Sequence, residues 1–244
     1  MSDDAVQRVP GCLGGVWDAL ESDGYAITSD RSLGLPEKFR PNFRGTYFND
    51  RILRHDEGDW PVDRLRARDV IRYRWDDGHL SLRRHDAITI TDRAGIAGRR
   101  EHARVELLED RPARDLIGAL LHLVPPASRE PEGTFGVNLF RTFTNVVTKP
   151  HHDKEKFIII YVLDRIGEGA ETYLNDSGDV TDDGDIKAQP LLRQQLNPGD
   201  IIIFEDALFK HGATPLANPD GGETRRDALI CTVDYRGTYL ETAR

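Results

Sequence analysis

A chain of 244 residues with a net charge of −9, 38% hydrophobic residues and a mean hydropathy of −0.54 suits a soluble globular protein with a sizeable core. The acidic balance argues against nucleic acid as the main partner. The longest apolar run, Phe157 to Leu163, is too short to span a bilayer, so no membrane partner is expected.

The N-terminus lacks a basic stretch followed by an apolar core, so no secretory signal is read and the cytoplasm is the expected location. Gly14 to Asp23 has Val16, Trp17 and Leu20 on one helical face, and Gly24 can end that helix before a strand, Tyr25 to Thr28. From Ser29 to Asp63 the pattern is poor, interrupted by Pro36, Pro41 and Pro61, and only Gly45 to Leu53 looks like a strand. Leu65 to Leu82 mixes arginines with Val70, Ile71, Tyr73 and Trp75, and periodicity does not choose between helix and strand. Ala87 to Thr91 and His102 to Leu108 read as strands. Pro112 to Val124 is the clearest helix, opened by Pro112 and stopped by Pro125-Pro126, with His122 as a structural residue beside its apolar stripe.

The polar break Ser128 to Gly133 separates an N-terminal helical and mixed flank, 1–130, from most of a β core, 131–244, within one expected domain. In Phe135 to Val147, residues Val137, Leu139, Arg141 and Phe143 share one face, and Asn138, Phe140 and Thr142 the other. Lys156 to Leu163 reads as a buried strand, followed by a short one at Glu168 to Leu174 and a polar loop, Asn175 to Gln189. The turn Asn197-Pro198-Gly199-Asp200 feeds Ile201 to Phe204, and Ala207 to His211 and Asp227 to Tyr235 complete at least six strands after Gly133. Many short strands with Pro and Gly turns argue for a mainly β sandwich or barrel with flanking helices. Of the two cysteines, Cys12 and Cys231, neither has metal-ligand or redox spacing, and Cys231 reads as a small buried hydrophobe.

Chemistry concentrates in Pro150 to Leu163. His151 and Asp153 stand two residues apart at the mouth of a buried strand, and in extended chain that spacing puts both on one side of an ion. His152 should point the other way. His211, in Phe209 to Leu216, is the candidate third ligand, and two His with one carboxylate form the facial set used by non-haem Fe(II) oxygenases. His55 and Glu57 offer a competing spacing, but no strand follows them and they read as a surface loop. Arg226 enters the last strand 15 residues beyond His211, and its planar fork suits the far carboxylate of a chelating dicarboxylate co-substrate; Arg225 should face outward and stay solvated. Thr214 is a candidate hydrogen-bond partner of that co-substrate. Asp206 is a candidate for a substrate ammonium, beside its plainer reading as a turn carboxylate. The acidic loop Asp176 to Asp185 lacks the spacing of a calcium-binding EF-hand loop.

Gly136–Arg141 (GVNLFR), His151–Asp153 (HHD), Phe209–Leu216 (FKHGATPL) and Arg226–Tyr235 (RDALICTVDY), with Leu20–Tyr25 (LESDGY), resemble bacterial 2-oxoglutarate/Fe(II) dioxygenases of the L-isoleucine 4-hydroxylase type, which hydroxylate free amino acids. Leu139 stands where some relatives carry Gln, and Glu168-Gly169-Ala170 replaces a pair of glycines. The resemblance implies a double-stranded β-helix of jelly-roll or cupin-like form, with Fe(II) held by His151, Asp153 and His211. It implies 2-oxoglutarate on Arg226, O2 as co-substrate, and Arg141 facing the cavity to hold a substrate or co-substrate carboxylate. The expected substrate is a small amino acid or derivative, with hydroxylation as the default and desaturation or ring closure as variants.

Two other readings stay open on the residues alone. One is a cupin-like metal protein without oxidative chemistry, which has no need of Arg226. The other is a nucleic-acid demethylase with the same iron site. Its support is Arg64 to Arg104, with eleven Arg against six acids, a stretch that could also dock a carrier protein but is better read as a solvated, salt-bridged face.

Overall fold

The computed structural model describes residues 13–55, 64–85, 88–91, 99–100, 104–144, 148–181, 185–233 and 239–241. Cys12, Glu57, His102, the centre of the acidic loop at 182–184 and Tyr235 lie outside them. In chain order the first elements are α1 (Gly14–Asp23), β1 (Tyr25–Ser29), α2 (Phe39–Tyr47), β2 (Arg64–Asp76), β3 (His79–Arg84), β4 (Ile88–Thr91), β5 (Arg99–Arg100), α3 (Arg111–Leu121), β6 (Glu132–Thr142), β7 (Thr148–His151) and β8 (Phe157–Ile166). There follow β9 (Glu168–Gly169), β10 (Thr172–Asp176), β11 (Leu192–Gln194), β12 (Asp200–Glu205), β13 (Phe209–Ala213), β14 (Leu216–Ala217), β15 (Arg225–Val233) and β16 (Tyr239–Glu241).

Two antiparallel sheets carry the site. The larger runs β1-β12-β8-β15-β6-β2-β3 and the smaller β11-β10-β13-β7. They are the two walls of a double-stranded β-helix, the mainly β architecture expected. Strand alternation sorts the larger sheet's apolar residues into two cores. Ile158, Ile160, Val162, Ile202 and Phe204 meet Leu174, Leu196 and Phe209 between the sheets. Ile159, Tyr161, Leu163, Ile201, Ile203, Val137, Leu139 and Leu229 face outward under a cover of helices that brings Leu20 from α1, Phe43 from α2 and Leu120 from α3. Burial on both faces is why β8 and β12 read as unbroken apolar runs.

The N-terminal half contributes more sheet than expected. Leu65–Leu82 is a hairpin: β2 pairs with β6 from Arg64↔Thr142 to Arg74↔Glu132 and turns back into β3. Asp77 and Gly78 sit alone in the turn with φ of 46° and 80°, the left-handed pair that an Asp-Gly dipeptide supplies. The strand expected at Gly45 to Leu53 is instead the end of α2 and the turn beyond it. Pro41 is tolerated because it falls in the helix's first turn, where N–H groups have no intrahelical partner, and Phe39, Phe43 and Tyr47 supply the buried face. His102 to Leu108 is not a strand where described: Arg104 makes one isolated bridge to Arg68, and Leu107–Glu109 is a 3-10 turn. His122 is structural as expected, its Nδ1–H donating to the Gly118 carbonyl at 2.7 Å and its ring set edge-on to Trp75.

One expectation is overturned here. The alternation read for β6 holds, but the face carrying Val137, Leu139 and Arg141 is the helix-covered one, so Arg141 does not look into the space between the sheets. Its Nε and Nη2 instead grip both oxygens of Asp227 at 2.7 and 2.8 Å, and Nη2 also donates to the Phe48 carbonyl at 2.9 Å. Arg44 of α2 adds a bond to Asp227 at 2.7 Å and an ion pair to Asp164 at 2.9 Å. A bulge makes this possible: Asp227 lies opposite Asp164 and Ala228 opposite Val162, so Leu163 is the extra residue and Asp164 turns to the helix side with it. Arg225, expected to be solvated, is 19% exposed and pairs with Asp164 and Glu223.

Asp227 is fully buried, so its truncation strands the Arg141 guanidinium without its counter-charge. Asp227→Ala should cost about 3–5 kcal/mol of stability. Arg44→Ala should cost less, because that side chain is 31% exposed and solvent screens it. Urea denaturation of the two variants checks the order; equal losses would contradict it.

Candidate metal centre

The smaller sheet brings the ligands together. β7 and β13 pair antiparallel with His151 directly opposite His211, and the two rings lie 4.5 Å apart. After β7 the chain turns back across the cluster. Asp153 inserts its carboxylate between the imidazoles, with Oδ1 3.5 Å from His151 Nε2 and Oδ2 3.5 Å from His211 Nε2. All three ligand atoms lie within 4.8 Å of one another. An ion with bonds of about 2.0–2.2 Å sets ligands at right angles roughly 3 Å apart, so a small contraction closes the set around one metal.

The site is asymmetric. His211 is buried, its ring 5.0 Å from that of Phe204. The side chains of His151 and Asp153 are 38% and 28% exposed, so the cluster opens to solvent on their side. His151 Nδ1–H donates to the Lys149 carbonyl at 2.9 Å, which holds the ring with Nε2 toward the cluster. His152 points away, as expected, with Nδ1 2.5 Å from the Asp206 carbonyl and Nε2 3.3 Å from Ser177 Oγ.

Electrostatics match a cation site. Burial on its own works against charge on Asp153, but hydrogen bonds to His151 and His211 hold its carboxyl well below the usual carboxylate range. Burial likewise opposes charge on His211, yet the Asp153 and Asp206 carboxylates outweigh it and push the imidazole up to about 9. Without metal the cluster keeps its own proton on His211, and a divalent cation replaces that proton.

Arg226 lies on the face of β15 opposite to Asp227. It alternates with Ala228 and with Ile230, which packs into the core between the sheets. It is 6% exposed, makes no ion pair among the described residues, and its Nη2 is buried without a hydrogen-bond partner. Burial lowers its pKa to about 10, and Arg165, its cross-strand neighbour on β8, adds like charge. A buried guanidinium with an unused prong and a positive neighbour is a ready receptor for a carboxylate. Thr172 on β10 and Thr232 on β15 also present buried hydroxyls without partners. Thr232 could have been found by counting in twos from Arg226; Thr172 carried no such marker.

Two expected contacts are redirected. Thr214 falls one residue past Ala213, off the inward alternation of Phe209, His211 and Ala213. Its hydroxyl accepts from the Glu171 N–H at 2.9 Å and its own N–H donates back at 3.0 Å, so it ties two chain segments. Asp206 is 1% exposed and turned toward the Asp153 loop, with no access to a substrate ammonium.

Two facing antiparallel sheets with a His/Asp/His cluster at one mouth and a buried, unpaired arginine between them define a metal-dependent oxygenase scaffold. The sequence matches the 2OG-Fe dioxygenase family over residues 56–232, and the chain belongs to that family, whose members use Fe(II), 2-oxoglutarate and O2. It is a 2-oxoglutarate-dependent Fe(II) dioxygenase, and the non-oxidative cupin reading falls away. None of the curated proteins matches the sequence.

Among solved structures the fold is similar to a bsmA homologue from Methylobium petroleophilum PM1, with TM-score 0.71 and 18% identity over 98% of this chain and 99% of that one. It is similar to IDO from Bacillus thuringiensis, with TM-score 0.69 and 15% identity over 93% of this chain and 100% of the other. It is also similar to the Fe(II)/α-ketoglutarate-dependent dioxygenase TqaL, with TM-score 0.70 and 14% identity over 94% and 88% of the two chains. Among the described residues no helix is long and apolar enough to cross a membrane.

Because metal must displace the His211 proton, apparent affinity should rise about tenfold per pH unit up to about 9 and level off above. In the metal-free protein the sign reverses. The raised pKa of His211 stabilises the fold fully below its ordinary 6.5, and that contribution is lost as pH rises through about 9. Co(II) titrations across this range test the first statement; an affinity independent of pH would contradict it.

Proposed function

We propose that this dioxygenase oxidises a C–H bond of a small amino acid or amino-acid derivative, with hydroxylation as the default and desaturation or ring closure as variants. His151, Asp153 and His211 would hold the iron and Arg226 the far carboxylate of 2-oxoglutarate. The observation that carries the assignment is the buried, unpartnered Nη2 of Arg226, on the inter-sheet face of a strand in a fold that places the triad at its mouth. Iron with 2-oxoglutarate and O2 supplies an oxidant for unactivated carbon, releasing succinate and CO2. The protein's own part is positional: His151, Asp153 and His211 would hold the iron from one side, and Arg226 would set the depth and direction of the co-substrate.

With Arg141 held by Asp227, the substrate carboxylate falls to other arginines. Antiparallel register puts Arg64 level with Thr142 and Arg226, Arg66 level with Phe140 and Ala228, and Arg68 level with Asn138 and Ile230. Their side chains therefore share the sheet face of Arg226, while Leu65, Ala67 and Asp69 face the helices. Arg64 lies 4.7 Å from the centre of the Phe140 ring. This row supports a substrate that carries a carboxylate, such as an amino acid, in keeping with the L-isoleucine 4-hydroxylase type. Succinate release measured against a panel of free L-amino acids and their amides, with mass spectrometry of products, tests the reading. Turnover with no free amino acid would sink it.

Arg226→Ala should raise the Michaelis constant for 2-oxoglutarate about 10- to 150-fold, from the roughly 1.5–3 kcal/mol of a hydrogen bond to a charged partner. Arg226→Lys should recover only part, since an ammonium lacks the two-pronged geometry. Arg225→Ala should lower stability through its lost pairing with Asp164 and leave that constant alone. If the effects of Arg225 and Arg226 are exchanged, the co-substrate assignment fails.

A further inference from the structure

Asp206 sits in the tight turn between β12 and β13, among the least exposed polar side chains of the described residues. Its Oδ1 accepts from the Asp153 N–H at 3.1 Å and its Oδ2 from the Glu155 N–H at 3.0 Å. Between those two N–H groups lies Lys154, with φ of 66°, a left-handed conformation that costs a residue with a Cβ free energy. The main chain of Asp206 holds the same loop at two more points. Its carbonyl meets His152 Nδ1 at 2.5 Å, and its N–H donates to the Lys156 carbonyl at 3.3 Å. On its other side, Asp206 Oδ1 lies 3.5 Å from His211 Nδ1, an atom sealed from solvent with no hydrogen-bond partner of its own. One buried carboxylate thus touches both chain segments that supply the cluster, which are some sixty residues apart in sequence.

We infer that Asp206 is the positioning residue of the metal centre: its carboxylate clamps the left-handed Asp153–Glu155 turn and orients His211 by facing Nδ1, so that Nε2 is the metal-binding nitrogen. The inference rests on the metal-centre reading and adds a determinant of metal affinity outside the ligand set. A metal on Nε2 requires the proton on Nδ1, and a carboxylate facing Nδ1 favours that tautomer. The same oxygen pair is saturated by backbone N–H groups on its loop side. The clamp therefore acts on where the Asp153 carboxylate sits as well as on which nitrogen His211 presents.

Asparagine separates this role from space filling. Asp206→Asn keeps the shape but turns one acceptor into a donor. Facing the loop, the new NH2 opposes a backbone N–H; facing His211, it donates to Nδ1 and drives the proton to Nε2, where metal must bind. Visible-absorption titration with Co(II) on the full chain, with circular dichroism of the metal-free proteins, reads the effect without turnover. Asp206→Asn and Asp206→Ala should both weaken Co(II) binding about 10- to 100-fold, with Asn no better than Ala. Lys154→Gly placed in the Asp206→Ala background should recover part of the loss, because glycine adopts the turn unaided. Should the Ala variant fail to fold, the Asn variant carries the test alone.

An Asn variant that binds Co(II) like the wild type, while His211→Ala abolishes binding, overturns this inference and leaves the metal centre standing. If His211→Ala also binds like the wild type, both fall together.

Discussion

Everything functional in β15 depends on where Asp227 points. Its carboxylate is fully buried on the helix side of the larger sheet and carries the two-pronged Arg141 and a bond from Arg44. Adjacent residues in a strand point to opposite faces. Holding Asp227 outward therefore forces Arg226 inward, into a space where no described group neutralises it. A one-residue slip would send Asp227 inside and strand Arg141 and Arg44, at a cost of several kcal/mol. The ion cluster thus fixes the register that aims the arginine, and α2, which supplies Arg44, joins the site's construction from outside the barrel.

That dependence explains which parts of the site were legible. His151 and Asp153 could be read because their geometry is local: two residues apart in extended chain, at the mouth of a strand whose apolar run is unmistakable. His211 and Arg226 became candidates because each stands at the end of an apolar run, with Arg226 15 residues beyond His211. Arg141 was misplaced although its alternation with Val137 and Leu139 was right. Alternation says which residues share a face but not which face is inside, and β6 is buried on both, by Val137 and Leu139 on one and by Asn138 and Thr142 on the other. Only the long-range partner, Asp227, decides it, and a pairing of residues 86 apart leaves no trace in local pattern. The helix α2 was hidden by Pro41 and Gly45, and the β2–β3 hairpin by Asp69 and Val70, which interrupt an otherwise regular alternation of arginines with apolar residues, even though Asp77-Gly78 marked its turn.

Departures from the resembled pattern have physical counterparts. In the segment where the resemblance implies a pair of glycines, Ala170 holds φ of 49° beside Gly169 at 87°. At Gly169 glycine is obligatory, since a Cβ would stand 2.1 Å from the Pro215 carbonyl oxygen. At Ala170 the left-handed backbone costs about 1–2 kcal/mol and is held by the N–H of Ala170 donating to Pro215 at 3.0 Å. The crossing of Gly169 with β14 lies in the segment joining β8 to β10, so the strain sits on the path linking the Arg165 and Thr172 walls of the inter-sheet space.

Arg226 and the His/Asp/His cluster are opposite solutions to one electrostatic problem. The cluster carries net negative character and, without metal, satisfies it with a proton on His211 drawn from solvent through the half-exposed His151 and Asp153. Arg226 has no such recourse: burial lowers its pKa only to about 10, so it stays charged at neutral pH among apolar residues and beside Arg165. A ligand with a chelating end and a distant carboxylate answers both at once, the first by completing the ion's coordination and the second by neutralising the buried cation. Either group alone would leave the other uncompensated. On the proposed assignment of Arg226, a molecule of this shape would relieve a locally unfavourable interior, and that relief would add to its binding free energy.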